Sequence, residues 1–180
     1  MKPLFAALLS SLTALPAPAQ TPEDSCGAGV QNYIPQLPAP GTAYVTVATD
    51  PKGLAPVKPA IVINLLLPAG SLPFVTDGVF SLQGEHGAVP LATAGADYSI
   101  LGAGPRAPAR QPDATILAPR HASFETRYKV YVAVPPEAPA QFTVSFPRWV
   151  SLHRVLSVPP LAFRRAAGGE TLDICSVLPG

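Results

Sequence analysis

The sequence predicts an all-β protein, a single antiparallel β-sandwich, and three observations carry that prediction. Apolar and polar residues alternate along several short segments, the period of a strand with one buried face. Proline accounts for 24 of the 180 residues, and each removes a backbone donor and clashes with the preceding helical turn, so long helices are disfavoured. Two cysteines, Cys26 and Cys175, stand near the two ends of the chain, where one disulfide would close one domain.

The first element is a secretory signal. Lys2 supplies a positive start, and Leu4 to Leu15 is an apolar stretch of 12 residues. Ala17-Pro18-Ala19 then matches the small-x-small cleavage pattern. A membrane span would need roughly 20 apolar residues, so residues 1–19 read as a cleaved signal peptide and not as an anchor. No later stretch is long and apolar enough to span a bilayer. The expected location is periplasmic or secreted, an oxidising compartment in which a disulfide persists. For a loop this long, chain entropy gives about 5 kcal/mol, less any native strain.

Residues 20–41 follow as an extended proline-rich lead-in, with Pro35, Pro38 and Pro40, and residues 42–180 as the β-sandwich domain. Thr42 to Thr49 alternates Ala43, Val45 and Val47 against Tyr44, Thr46 and Ala48. Ala60 to Leu67 is almost continuously apolar and suits a central strand. Val79 to Leu82 and Ala88 to Leu91 flank a five-residue loop with two glycines, a hairpin pattern. Pro90 assigns its strand to an edge or bulge. Gly102 to Pro119 reads as an exposed mobile loop.

Ser123 to Val134 carries the clearest alternation. Phe124, Thr126, Tyr128, Val130, Val132 and Val134 fall on one face, with Glu125, Arg127, Lys129 and Tyr131 on the other. Gln141 to Phe146 repeats the pattern. Val150 to Leu152 and Val155 to Val158 suggest a hairpin turning at His153-Arg154, and Leu161 to Arg164 and Thr171 to Val177 supply the last strands. Eight or so short strands punctuated this way resemble an immunoglobulin-like sandwich in architecture, a likeness that implies no function; a barrel is the alternative.

Charge narrows the partners. Without Lys2 the 12 basic residues become 11, equal to the 11 acidic ones, and a neutral chain does not suit a general nucleic-acid binder. Residues 20–105 are net −4 and residues 106–180 net +4, charges that a sandwich topology would interleave. No cofactor motif is present: Gly102-Ala103-Gly104 is a lone Gly-x-Gly with no helix after it. The histidines His86, His121 and His153 are too few and too scattered to specify a metal site. No Gly-x-Ser-x-Gly elbow occurs, and Asp50, Asp77, Asp97 and Glu85 are the carboxylates open to acid/base chemistry.

The candidate binding residues are Arg148, Trp149, His153 and Arg154, followed by Arg164 and Arg165. Arginine grips carboxylate or phosphate with paired donors, and tryptophan offers a flat stacking surface. The other reading of this cluster is a buried Trp149 with arginines that solubilise the surface, the commoner fate of a lone tryptophan. The expectation is a non-catalytic binding module for an envelope or extracellular protein, or for an anionic or glycan ligand. A structural or assembly subunit pairing its edge strands is the alternative, and a small hydrolase or metal-binding protein the second.

Overall fold

The computed structural model describes Cys26 and residues 30–50, 52–84, 87–104, 107–166 and 168–175. The signal segment lies outside the described residues. The strands in chain order are β1 (Asn32–Tyr33), β2 (Tyr44–Thr49), β3 (Ala60–Leu67), β4 (Phe74–Asp77), β5 (Ser81–Gly84), β6 (Gly87–Pro90), β7 (Thr93–Ile100) and β8 (Ala109–Gln111). They continue with β9 (Ile116–Leu117), β10 (Thr126–Ala133), β11 (Gln141–Ser145), β12 (Arg148–Ser151), β13 (Arg154–Leu156), β14 (Leu161–Arg165) and β15 (Leu172–Ile174). No helix forms among the described residues. The strands make three antiparallel sheets, ordered β1-β2-β3-β10-β7-β8, β15-β14-β11-β5-β6 and β13-β12-β4-β9.

The inward residues of all three sheets meet in one core. From the six-stranded sheet come Val45, Val47, Ile61, Ile63, Leu65, Tyr128, Val130 and Val132. The five-stranded sheet contributes Leu82, Phe142, Val144, Leu161 and Phe163, and the four-stranded sheet Phe74, Leu117, Trp149 and Leu156. β3 sits between β2 and β10, where its near-continuous apolar sequence is needed. Its outward Val62, with Ala48, Ala55, Ala60 and Tyr131, forms a second small core on the other face of the sheet.

The ends of the chain close as the cysteines suggested. Cys26 and Cys175 form a disulfide, and Val30 and Ile174 exchange two backbone hydrogen bonds of 2.9 Å. The lead-in is partly built into the sheet, since β1 pairs with β2. The two charge halves interleave: β10 lies between β3 and β7, and Arg110–Asp97 and Arg148–Asp77 each join a base from the second half to an acid from the first.

Several local expectations change. Residues 102–119 are not one loop: Ala109–Gln111 pairs with β7, Ile116–Leu117 pairs with β4, and Leu117 is fully buried. The first hairpin is tighter than its glycines suggested, because Gly84 pairs with Gly87 and only residues 85 and 86, outside the described set, intervene. The hairpin of β12 and β13 turns at Leu152-His153, not His153-Arg154, since Ser151 pairs with Arg154. That register sets Trp149 opposite Leu156, both buried, so the core face fixes it. Phe124 falls before β10 and is 37% exposed.

Candidate ligand-binding groove

The six candidate residues do not form one site. Trp149 is 1% exposed, its ring 6.1 Å from that of Phe80, so its flat faces belong to the core and offer no external platform. The reason is parity: on β12, Arg148 and Val150 point outward and Trp149 inward. Arg148 pairs with Asp77, its cross-strand neighbour, on the exposed face of the four-stranded sheet. His153 and Arg154 are exposed at the tip of the same hairpin.

Arg164 and Arg165 lie on another sheet and are occupied there. Arg164 donates through Nη1 to the Cys26 carbonyl at 3.0 Å and through Nη2 to Asp173 at 3.3 Å. Arg165 donates to the Gly169 carbonyl at 3.3 Å and to the Pro135 carbonyl. These contacts tie Cys26, β15, the turn after β14 and the segment before β11 to the strand. Of the other candidates, His121 packs at a tilt against Phe124 and its Nδ1 accepts from the Ser123 amide, while His86 and Glu85 lie outside the described residues.

A more complete site lies on the outer face of the six-stranded sheet. Two cavities of about 300 and 320 Å³ adjoin there, both lined by Asn64 and Arg127. The floor is built by register. Tyr44, Leu66, Arg127 and Ser99 form one row across β2, β3, β10 and β7. Thr46, Asn64, Lys129 and Asp97 form the next, and Ala48, Val62 and Tyr131 the third. Rows on one face stand about 6.7 Å apart, two residues of strand rise. Ile34 and Pro38 of the lead-in wall one end, and Leu54 and Ala55 the other. The Ala55 amide donates to the Asp50 carboxylate at 2.5 Å, which fixes that second wall.

Charge is distributed unevenly along this groove. Asp97 accepts from Arg110 at 3.1 Å and from the Tyr131 hydroxyl at 2.9 Å, so its charge is balanced locally. Burial, then the bond to Asp97, pushes the Tyr131 phenol up to about 12, and it stays neutral and donating. Arg127 and Lys129 are exposed and have neither an ion-pair partner nor a side-chain hydrogen bond among the described residues. Asn64 makes only a long bond, 3.4 Å, to Thr46. The middle of the groove therefore offers two cations on β10 and an amide on the neighbouring β3, with donors to spare.

Sequence reasoning put Arg127, Lys129 and Tyr131 on one outward face, and that alternation was the available signal. It put Thr46 on the outward face of its own strand but gave no hint of Asn64, nor that strand pairing brings both alongside Lys129. No family model, curated protein or solved structure matches this chain.

Proposed function

We propose that this chain is an exported, non-catalytic binding module that holds an anionic glycan across the outer face of its six-stranded sheet. The observation that carries the reading is the pair Arg127 and Lys129. They project from successive outward positions of central strand β10 into one groove and form no ion pair among the described residues, although Asp50 lines the same groove and Asp97, paired with Arg110, is the cross-strand neighbour of Lys129. Guanidinium and ammonium groups recognise carboxylate or sulfate, while Asn64 and Thr46 suit sugar hydroxyls. Export is supported by the signal-like pattern of residues 1–19 and by the disulfide, which persists in the periplasm or outside the cell. The scaffold is read as an immunoglobulin-like sandwich, for which the shared core of packed antiparallel sheets is the support.

Calorimetric titration with oligogalacturonate, and with a neutral maltooligosaccharide of equal length, tests the reading. The acidic chain should bind, weaken as salt rises, and lose at least tenfold in affinity in Arg127→Ser/Lys129→Ser. Equal binding of both sugars, or of wild type and variant, would remove the groove from the proposal.

One observation favours the assembly-subunit reading. Val155, Val150, Val75 and Ile116 form a continuous apolar row across the outward face of β13, β12, β4 and β9, and three of the four are about half exposed. A sedimentation profile that stays monomeric at high concentration, with no envelope cross-links to Val75→Cys, would count against it.

A further inference from the structure

Three connections of the chain meet at one end of the molecule, and each carries an exposed leucine. Leu37, between β1 and β2, is 87% exposed. Leu152, in the turn from β12 to β13, is 79% exposed, and Leu72, between β3 and β4, is 46% exposed. Two hollows place these connections side by side. Leu37 lines one of about 70 Å³ with Ala43 and Arg154. Leu72 lines another of about 190 Å³ with the same Ala43 and Arg154, and with Ser151 and His153, the two neighbours of Leu152. A single exposed leucine is ordinary, but three gathered at one end are not.

The backbone around each leucine is fixed. Leu37 precedes Pro38, and Thr42 closes its loop by donating to the Ala39 carbonyl, from the hydroxyl at 2.7 Å and from the amide at 3.2 Å. The Ser71 amide donates to the Pro68 carbonyl at 3.2 Å, which turns the chain just before Leu72. Ser151 pairs with Arg154 across the tip that holds Leu152.

Charge at these tips has one sign. Residues 34–43, 68–73 and 151–154 contain no carboxylate, and their basic side chains are His153 and Arg154. Both are exposed, and Arg154 has no ion-pair partner among the described residues.

We infer that this end of the molecule docks on an anionic lipid bilayer, with Leu37 and Leu152 entering the boundary of the acyl chains and Arg154 among the headgroup phosphates. Apolar tips enter a bilayer surface without needing a matched partner shape, and a cation beside them stays at headgroup level and favours anionic lipid. A stable protein partner would need about 800 Å² of complementary surface on this side, and separate tips with hollows between them present no continuous face.

Cosedimentation with vesicles of phosphatidylcholine alone, and of phosphatidylcholine with one third phosphatidylglycerol, tests the inference. The protein should partition onto the anionic vesicles in preference to the neutral ones. Leu37→Ser/Leu152→Ser should weaken that partition at least tenfold, the scale of burying one such side chain, and Leu37→Met/Leu152→Met should retain it. Arg154→Ser should weaken it about fivefold, the scale of one basic side chain at an anionic surface. All these positions are exposed, and the affinity for oligogalacturonate should match wild type in each variant, so the groove and this surface fail separately. No partition of the wild type, equal partition onto both vesicles, or a serine variant that partitions as wild type does would overturn the inference.

Discussion

Strands β10 and β14 each carry two cationic side chains, and the fold places them in opposite ways. On β14, Arg164 and Arg165 are adjacent in sequence, and their hydrogen bonds lead back into the protein, to Cys26, Asp173, Gly169, Pro135 and Pro136. On β10, Arg127 and Lys129 are two apart, share one outward face, and meet no acceptor side chain among the described residues. The strand period explains the contrast. Neighbours in sequence point to opposite faces and cannot cooperate on one ligand, whereas residues i and i+2 can. A run of arginines is thus poorer evidence for a binding surface than a spaced pair. What separates a structural cation from a recognising one is whether carbonyls of its own chain already take its hydrogens.

This contrast can be broken or sharpened at four points. The largest effect belongs to the seam beside β14. Removing the disulfide with Cys26→Ala/Cys175→Ala should cost about 2–5 kcal/mol of stability in urea unfolding, because the unfolded chain regains a very long loop. A midpoint unchanged from wild type would mean that the sheet closes without it. Next, Arg165→Met should cost about 1–3 kcal/mol by leaving the Pro135 carbonyl without its donor, measured in the same way.

Tyr131 comes third. Its folded-state pKa is raised to about 12 from the ordinary 10, so the folded chain holds that proton more tightly than the unfolded one. The resulting stability is fully present below pH 10 and is lost as pH rises from 10 towards 12. Tyr131→Phe should flatten that part of the stability profile relative to wild type; an unaltered slope would show that the phenol titrates normally. The smallest effect is expected at the groove itself. Arg127→Ser and Lys129→Ser should each change stability by no more than about 0.5 kcal/mol, since neither side chain holds the fold together. A large loss at either would place these residues with the arginines of β14.

Much of the scaffold was legible because local pattern and final burial agree. β2, β3, β10, β11 and β14 show their inward faces in the sequence, and Pro90 marks the edge strand β6. β7 was invisible because Thr93 to Ile100 contains Gly95 and Asp97, poor strand formers in isolation. Gly95 has φ of +86°, and a Cβ there would come within 3.1 Å of the Gln111 carbonyl oxygen, so only glycine lets β8 approach. Asn64, inside an apolar run, gave no sign of lining a groove. Its neighbours Thr46 and Lys129 lie 18 and 65 positions away in sequence, and pairing over that distance leaves no local trace. The burial of Trp149 was the commoner of the two readings its sequence allowed; Arg148, its polar neighbour, sits on the other face of the same strand, and His153 and Arg154 lie beyond it at the hairpin tip.

The central claim is that β10 presents the recognising cations and β14 the structural ones. A titration of the isotopically labelled protein with oligogalacturonate, followed by amide chemical shifts, tests it most directly. The expected result is a set of saturable shifts centred on Thr46, Asn64, Arg127 and Lys129, with Arg164 and Arg165 unmoved. Shifts confined to residues 148–154 or to β14, or none at any concentration, would contradict it.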